Sequence, residues 1–434
     1  MEHNYEQQLL HFRRDFHRHP ETAWLEYRTS AVLAGRLEEL GYEVRVGEEM
    51  IDLDKMISPP EEETRNRRKD RVLEEMPGRK PYLARMGNAT GVIGVMDTHR
   101  PGPLTAFRFD IDALPIDETK DSSHKPCRQK FRSLWEQRMH ACGHDGHSAV
   151  GIVLAEAIMD NAAILCGRIM FLFQPAEEGA KGGKSMSDSW KYPIPDYLFA
   201  FHIGFAEPDE LVCGVDQFLV TTKFDVTFTG ESAHAGTTPN KTRNALLAAA
   251  EATLQFQEIP PSPEGTIRVN IGCLTAGEAR NAIAAKAFLQ GETRGETEKL
   301  DAYVINEVQK LVPQCAARYQ TEAEFRVVGR TASEPSDARL CRLIARQAED
   351  LGIYRRITLH KHFPASEDAT WLMRMVREQG GKASYLLFGT PMEAGHHSPD
   401  FDFDEEVLTK AFTLLFRLAC VVNQAGEELE YLDD

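Results

Sequence analysis

The stretch His-Ala-Cys-Gly-His-Asp-Gly-His, residues 140–147, carries five side chains that can bind a metal within eight positions. Thiolate, imidazole and carboxylate groups this close together are costly to bury without compensation, and a divalent cation is the usual compensation. Cys142 and His144 are the first candidate ligands. The alternative, a buried thiol beside a histidine held by the core, suits an isolated pair better than a cluster of five. The stretch therefore predicts a metal centre.

A second group of polar side chains accompanies apolar runs further along the chain. Glu177 and Glu178 follow the run 168–174, and His202 lies in the run 197–204. Two adjacent glutamates are otherwise typical of a solvated loop, and a lone histidine in such a run is more often a core side chain. Neighbouring residues of an extended chain point to opposite sides, so the two glutamates can have different roles. Their position after an apolar run favours a site at the end of a sheet.

The apolar periodicity predicts alternating helices and strands. Helical spacing covers 5–18, 27–41 and 146–162, and short apolar runs predict strands at 91–96, 104–112, 168–174 and 197–204. Such alternation indicates an α/β fold with a mostly parallel sheet. Parallel strands gather their carboxyl ends at one edge, where sites form.

The pattern changes near residue 219, where the chain begins to alternate like an antiparallel strand. A helix at 243–257, strands at 267–274 and 284–293, a helix at 296–311 and a strand at 323–329 follow. This β-α-β-β-α-β order is the ferredoxin-like arrangement. We therefore expect a catalytic domain of residues 1–218 and 333–434, interrupted by an α+β domain of residues 219–332.

Composition excludes several classes of partner. The formal net charge of −17 argues against nucleic acid and anionic membranes, which both need a basic surface. The N-terminus lacks the apolar core of a signal peptide, and no 18-residue apolar run predicts a membrane span. The eight cysteines are scattered without a paired pattern, which indicates reduced thiols and a cytoplasmic setting.

The segment 52–80 is strongly charged and contains three prolines. Charged runs of this kind usually stay in water, so we expect a solvated surface insertion. Contact with a partner is the alternative.

Five motifs give the chain a specific resemblance. They are RFDIDALP (108–115), MHACGHDGH (139–147), FQPAEEG (173–179), FTGESAHAG (228–236) and HSPDFDFDE (397–405). Together they resemble the M20 metallopeptidase and amidohydrolase family, in its branch of N-acyl-amino-acid, hippurate and indole-acetyl-amino-acid hydrolases. Nearly the whole chain, including the insertion at about 48–85, is similar to the members that cleave p-aminobenzoyl-glutamate.

The resemblance implies a pair of divalent metal ions. It assigns their ligands as Cys142, His144, Glu178, His202 and His397. In the family the cysteine bridges the two ions, and a thiolate favours Mn, Zn, Co or Ni over Mg or Ca. Mn²⁺ is the first expectation. The family's general base corresponds to Glu177.

Three further positions stay open within the resemblance. Asp110 stands where other M20 branches have a metal-binding histidine, and His144 is the expected substitute. Asp112 matches an aspartate that orients a ligand histidine, and for both aspartates hydrogen bonds to strand-end amides are the alternative. The HSPxF pattern favours His397 over His396 as the ligand, which leaves His396 as a candidate substrate contact.

The resemblance also places substrate-binding residues in the inserted domain. His234 would cross a dimer interface and stabilise the oxyanion at the partner's metal site. Asn281 and Arg294 match positions that hold the substrate carboxylate, a task that suits the planar fork of arginine. The family has proline where this chain has Ala284, which loosens the Asn281 loop.

The implied function is amide hydrolysis by metal-activated water. The expected substrate is an N-acyl or N-aroyl amino acid, with p-aminobenzoyl-glutamate first. A general N-acyl-amino-acid deacylase or dipeptidase is the alternative within the class, and a non-catalytic partner subunit is the alternative outside it. The expected assembly is a homodimer or a heteromer with a homologous B subunit.

Overall fold

A computed structural model describes residues 4–237, 243–363 and 365–424 of the chain. They divide into two compact units. The first comprises the described residues of Met1–Gln217, Glu334–Phe363 and Asp368–Asp434, and the second those of Phe218–Ser333 and Pro364–Glu367.

The helices and strands of the described residues are numbered in chain order. The helices are α1 (Tyr5–Arg18), α2 (Tyr27–Leu40), α3 (Glu62–Glu75), α4 (Lys80–Met86), α5 (Lys125–Arg128), α6 (His144–Asp160), α7 (Gly182–Asp188), α8 (Ala245–Gln257), α9 (Glu298–Arg318), α10 (Ala338–Leu351), α11 (Thr370–Glu378) and α12 (Glu406–Val422). The strands are β1 (Glu43–Val46), β2 (Val92–Asp97), β3 (Leu104–Asp110), β4 (Arg168–Gln174), β5 (Tyr197–Ile203), β6 (Glu210–Val212), β7 (Val215–Phe218), β8 (Val220–Thr229), β9 (Ile267–Ala276), β10 (Lys286–Gly295), β11 (Glu322–Arg330), β12 (Arg356–Thr358), β13 (Lys361–Phe363) and β14 (Lys382–Phe388).

The first unit is built on an eight-stranded sheet of order β1-β2-β4-β3-β5-β14-β6-β12. Its centre, β4-β3-β5-β14, is parallel throughout, while β1, β2 and β6 join it in antiparallel pairs. The expected α/β fold with a mostly parallel sheet is therefore confirmed. Because the central strands share one direction, β3, β4 and β5 all end at the same edge.

The core of this unit lies between α6 and one face of the sheet. Six buried phenylalanines at alternate positions of β3, β4 and β5 cover that face, and their rings lie close to one another: Phe107, Phe109, Phe171, Phe173, Phe199 and Phe201. The helix approaches the rings at Gly151, where an added Cβ would lie 2.6 Å from the ring of Phe173. The absence of a side chain at Gly151 thus sets the distance between helix and sheet.

Helix α6 begins two residues before the predicted start at residue 146. Gly143 occupies the N-cap position with φ 89°, a left-handed conformation that glycine adopts without strain. His144 is consequently the first residue of the helix, followed by Asp145 in the first turn. The predicted metal-binding stretch is therefore partly a helix N-terminus and not a loop alone.

The charged insertion is more closely attached than we expected. Within it, α3 buries Arg68 and Val72, although most of its other residues lie at least partly in solvent. The Arg68 guanidinium donates to the buried Glu21 carboxylate at 2.9 Å and lies 3.8 Å from the ring centroid of Trp135. A buried ion pair and a cation–π contact therefore anchor one face of a helix in a segment that we expected to be a solvated surface insertion.

The second unit has a four-stranded antiparallel sheet of order β11-β8-β10-β9. Helices α8 and α9 each bury one apolar face against the sheet in a separate core. The chain order is β-α-β-β-α-β, as the sequence predicts, and α9 runs to Arg318, past the predicted end at 311. In the parts of the chain that are described, no helix combines the length and apolar character needed to cross a bilayer.

Gly151→Ala should destabilise the first unit. The new methyl group would overlap the Phe173 and Phe109 rings, and overpacking of this kind costs roughly 1–3 kcal/mol, against about 1 kcal/mol gained in helix propensity. Differential scanning calorimetry should show a lower melting temperature than that of the wild-type protein. Gly78→Ala is the control, because no atom lies within 4 Å of its added Cβ. Equal transition temperatures for the two variants would contradict the proposed close contact.

Candidate metal centre

The candidate site forms where β3, β4 and β5 end. The parallel register places Asp110 of β3 beside Gln174 of β4, and Arg108 beside Ala200 of β5. Three residues after β4 comes Glu177, and His202 is the sixth residue of β5. The N-terminus of α6 brings His144 to the same edge, so residues far apart in sequence meet here.

A first group of ligand atoms consists of Cys142, His144 and His202, whose ligand atoms lie within 4.8 Å of one another in a buried setting. The Cys142 sulfur is 3.4 Å from Nε2 of His202. Nδ1 of His202 lies 2.7 Å from the Ile203 carbonyl oxygen, and Nδ1 of His144 lies 2.9 Å from that of Asp112. Each carbonyl fixes the ring tautomer so that Nε2 is the nitrogen available to a metal.

A second group shares the same sulfur. Cys142, Glu178 and His397 bring their ligand atoms within 4.8 Å of one another, and Nε2 of His397 lies 3.4 Å from a Glu178 oxygen. A third group joins His144 to both Glu177 and Glu178, at 4.0 and 3.9 Å from its Nε2. Cys142, His144 and Glu178 each belong to two of these three groups, so the groups form one continuous cluster.

The donor set fits borderline divalent ions. Sulfur, imidazole nitrogen and carboxylate oxygen are ligands that Zn, Mn, Co and Ni accept. Nε2 of His144 is buried and has no hydrogen-bond partner among the described residues, a state that a bound cation would relieve. In the metal-free protein, burial and then the charges of Glu178 and Glu177 raise the pKa of the Cys142 thiol well above its usual range. A cation would reverse this effect by stabilising the thiolate.

Asp110 and His147 form a pair beside these groups. Nδ1 of His147 lies 2.5 Å from an Asp110 oxygen, and Nε2 accepts the Ile203 amide at 3.0 Å. Both His147 nitrogens are thus engaged. Burial opposes ionisation of Asp110, yet the charges of His144, His147 and Arg108 hold its pKa well below the usual range. Asp110 therefore serves as a hydrogen-bonding anion towards His147 and Arg108, and its ligand atom also lies within 4.8 Å of those of His144 and His147.

The Asp112 carboxylate has a role that the sequence suggested only as the alternative. Its two oxygens accept the amide N–H groups of Glu177 and Glu178, at 2.9 and 3.1 Å. It is the backbone carbonyl of Asp112 that lies 2.9 Å from His144 Nδ1, whereas the carboxylate is 3.7 Å away. One residue therefore orients the candidate ligand His144 through its backbone and the two glutamates through its side chain.

The two adjacent histidines face different partners. His396 is the more buried, with Nδ1 3.8 Å from the Cys142 sulfur and its ring stacked on Phe205 at 4.1 Å. Burial, with a smaller contribution from His397, lowers the pKa of His396 to about 3. His397 reaches Glu178, although its side chain is 53% exposed. Both residues therefore contact the group around Cys142, and the assignment of His397 as the ligand stays a prediction.

Sequence reasoning missed Arg108, which is fully buried in β3. Its guanidinium donates to Asp110 at 2.7 Å and to the side chain of Gln174 at 2.9 Å. An arginine inside an otherwise apolar strand is rare unless it is paired, and that signal could have marked it.

The remaining candidates belong to the second unit. His234 is exposed, and its backbone forms a β-bridge with Ala282, next to Asn281. The Gly236 amide donates to Nδ1 of His234 at 3.1 Å, so the neutral ring carries its proton on Nε2. Nε2 of this ring is therefore a hydrogen-bond donor.

Arg294 lies at the other end of β10 from the Asn281 loop and pairs with Glu292 at 2.8 Å. Eight residue-to-residue steps of extended strand lead from Lys286 to Arg294, a distance of roughly 25 Å. Asn281 precedes Lys286. One carboxylate therefore cannot contact Asn281 and Arg294 of the same chain.

Comparison with known proteins identifies the family. The model of Peptidase family M20/M25/M40 matches residues 106–420. The chain belongs to this family. The predicted resemblance is confirmed, and the protein is a hydrolase of this kind. The motifs at 108–115, 139–147, 173–179 and 397–405, and the described ligand groups, lie inside the matched region.

Individual proteins are similar over almost the whole chain. The A subunit of the p-aminobenzoyl-glutamate hydrolase from Escherichia coli K12 is 42% identical over 95% of both chains. The indole-3-acetyl-aspartic acid hydrolase of Enterobacter agglomerans is 41% identical over 94% of both. The crystal structure of an aminobenzoyl-glutamate utilization protein from Klebsiella pneumoniae matches with a TM-score of 0.79 at 38% identity, covering 96% of this chain and 95% of that one.

Glu178→Gln should lose metal, whereas Glu177→Gln should retain it. Glu178 shares a ligand group with Cys142 and His397, and loss of a direct ligand should weaken binding by more than the roughly 10–100-fold typical of a lost outer partner. Titration with Co²⁺, followed by absorption and by elemental analysis, measures the affinity. Loss of metal in the Glu177 variant would reverse the two assignments.

The same titration distinguishes the adjacent histidines. We expect His397→Ala to lose metal and His396→Ala to retain it. The opposite result would make His396 the ligand and would transfer its suggested substrate contact to His397.

Proposed function

We propose that this chain is a dinuclear metal amidohydrolase that cleaves N-aroyl amino acids, with p-aminobenzoyl-glutamate as the preferred substrate and p-aminobenzoate and glutamate as products. The observation that supports it most is the Cys142 sulfur shared between two ligand groups beside Glu177. The reaction fits the family, and the substrate follows the relative that is 42% identical. A cytoplasmic setting suits the eight cysteines, which are all free thiols.

The ions would be held by Cys142, His144, Glu178, His202 and His397. We propose two per chain, with Mn²⁺ first and Zn²⁺, Co²⁺ or Ni²⁺ as substitutes. When bound, such ions polarise a carbonyl oxygen and acidify water.

Glu177 is the proposed proton carrier. It lies beside His144 but outside the group of Cys142, Glu178 and His397, so its carboxylate can face the reacting water. Glu177 takes a proton from that water as the oxygen attacks the amide carbonyl. It then delivers the proton to the amine nitrogen, which leaves with the electron pair of the broken C–N bond.

Substrate recognition is proposed to need two chains. His234 would donate from Nε2 to the developing oxyanion of a partner's site, with Asn281 beside it. Asn281 precedes β10, and the strand alone separates Lys286 from Arg294 by roughly 25 Å, so we propose that the two residues contact the substrate carboxylate from different copies. Arg294 would hold a substrate carboxylate with its planar fork, after releasing Glu292.

The second unit offers a surface suited to such assembly. β9 is an edge strand of its sheet, and edge strands can pair with another chain. The neighbouring α8 exposes Leu246, Leu247 and Leu254, and β9 exposes Leu274. Apolar side chains beside a sheet edge are typical of a protein interface. We propose that a second copy, or a homologous B subunit, covers this face.

A second candidate substrate is an aryl-acetyl amide of aspartate, which the relative of 41% identity favours. The names of both relatives include a dicarboxylic amino acid, glutamate in one and aspartate in the other. We therefore propose that the second carboxylate contributes to recognition. A general deacylase would accept neutral amino acids equally well.

The protein loaded with Mn²⁺ should hydrolyse p-aminobenzoyl-glutamate, as measured by release of p-aminobenzoate. Exhaustive chelation should abolish the activity. The α-amide of the substrate should show a strongly raised KM, because a charge-assisted contact worth roughly 2–5 kcal/mol is lost. Indole-3-acetyl-aspartate and N-acetyl-methionine serve as the comparison substrates. Equal turnover of N-acetyl-methionine would replace the narrow substrate assignment by a general deacylase.

Subunit exchange should restore activity between two inactive parents. Glu177→Ala removes the proton carrier and should lower kcat on the order of 10²–10⁴-fold. His234→Ala removes the proposed oxyanion donor. A mixed dimer contains one site with Glu177 from one chain and His234 from the other, so mixing should regain part of the wild-type rate. Each variant mixed with itself is the control. Absence of recovery after verified exchange would favour a site complete within one chain.

A further inference from the structure

Glu26 is a buried carboxylate that connects the N-terminal segment to the turn before Glu177. It precedes α2, and its side chain is completely buried. Oε1 accepts two backbone amides, that of Trp24 at 3.0 Å and that of Ala176 at 2.9 Å. Oε2 accepts the Thr90 hydroxyl at 2.6 Å. One oxygen therefore joins the backbone at Trp24 to that at Ala176, which is 150 residues from Glu26 in sequence.

Both amides belong to residues in an unusual conformation. Trp24 has φ 65° and Ala176 has φ 58°. Positive φ is uncommon for residues with a Cβ, and it persists where the surroundings hold it. A hydrogen bond from each amide to the same carboxylate oxygen is such a restraint. Glu26 therefore stabilises the left-handed conformation at both residues.

The Ala176 conformation sets the direction of the next two side chains. Ala176 directly precedes Glu177 and Glu178, whose amides are held by Asp112 at 2.9 and 3.1 Å. Three consecutive amide N–H groups of this turn therefore donate hydrogen bonds to the carboxylates of Glu26 and Asp112, which belong to different segments. A change of φ at Ala176 would rotate the chain that follows it and move both glutamates relative to His144.

We propose that Glu26 is a positioning residue for the reaction, which holds the Ala176 turn so that Glu177 and Glu178 face the metal centre. This role rests on the proposed function of the two glutamates. Glu26 acts through the backbone of Ala176. Its own carboxylate has described contacts with Trp24, Thr90 and Ala176.

The hydrogen-bond pattern determines which substitutions preserve the role. In Glu26→Gln, the amide oxygen can accept both backbone N–H groups, and the amide nitrogen can donate to the Thr90 oxygen. In Glu26→Ala, all three bonds are lost. Glutamine should therefore substitute for the native residue, and alanine should not.

Glu21 provides a matched control. It is also completely buried, in the same segment, and accepts the Arg28 and Thr29 amides at 3.0 and 2.7 Å and the Arg68 guanidinium at 2.9 Å. Its described hydrogen bonds do not include the Ala176 turn. Glu21→Ala therefore reports the general effect of removing a buried carboxylate here.

The test compares kcat, KM and Co²⁺ binding in the full-length protein. Glu26→Ala should lower kcat by on the order of 10²-fold, the effect of a displacement near 1 Å at reacting groups, with a smaller change in KM. Its Co²⁺ absorption spectrum should change and its Co²⁺ affinity should fall, because Glu178 is on the displaced turn. Glu26→Gln should retain the wild-type values of kcat and Co²⁺ affinity. Glu21→Ala should lower the melting temperature without the loss of kcat.

A glycine at 176 tests the conformational part of the proposal. Glycine adopts positive φ without strain, so Ala176→Gly should recover part of the kcat lost in Glu26→Ala. If Glu26→Ala does not fold, Glu26→Asp and Glu21→Asp replace the alanine pair, since the shorter side chain withdraws its oxygen from the Ala176 amide.

Equal losses of kcat in the Glu26 and Glu21 variants would overturn the positioning role, and so would an unchanged Co²⁺ spectrum in Glu26→Ala. The failure of the proposed function would look different. In that case the wild-type protein itself would hydrolyse none of the amides. The Glu26 and Glu21 variants could still be compared by their Co²⁺ absorption spectra.

Discussion

The close packing of α6 on the phenylalanine-covered face of the sheet is the constraint on which the site depends. Gly151 allows the helix to lie against the rings of Phe173 and Phe109, and Gly146 allows it to lie against Phe403, where an added Cβ would be 2.8 Å from the ring. Interiors are packed so densely that one extra methyl group must displace a neighbour. The helix is therefore fixed between the sheet and the segment that follows His397, and its first residue reaches the strand ends.

Charged groups complete the positioning that packing begins. Arg13 of α1 is fully buried and its Nε lies 3.1 Å from the carboxylate of Asp145, which follows the candidate ligand His144. The same guanidinium contacts Asp402 and Glu405, just after His397. Buried ion pairs often contribute little net stability, because desolvation offsets their attraction. Arg13 instead joins the segment of His144 to the segment that follows His397, both of which contain candidate ligands. Asp112 joins the segments after β3 and β4 in the same way.

The sequence was sufficient for the family, the mostly parallel sheet and the β-α-β-β-α-β order of the second unit, because these are expressed in local motifs and in apolar periodicity. It also pointed to Cys142, His144 and His202, whose side chains the structure brings together, while their assignment as ligands stays a prediction. It was insufficient where a partner is distant in the chain. The Asp112 carboxylate accepts the amide of Glu177, which is 65 residues away in sequence. Arg68 pairs with Glu21, which is 47 residues away. Nothing in the local pattern of a charged helix shows which arginine will be buried. The separation of Asn281 from Arg294 likewise appears only once the length and direction of β10 are known.

Burial separates the two kinds of residue in this hydrolase. Cys142, His144 and His202 are buried, and their positions are determined by a strand, a helix and the core that both share. His234 and Asn281 are exposed and belong to a separate unit. The cost of burying a cluster of polar candidate ligands must be offset within the fold that contains it. A single sequence can therefore reveal such a cluster. Residues that recognise a substrate find their partners in the substrate and, in our proposal, in a second chain. The chemistry of this protein is consequently expressed in its motifs, whereas in our proposal its specificity also depends on residues of a second chain.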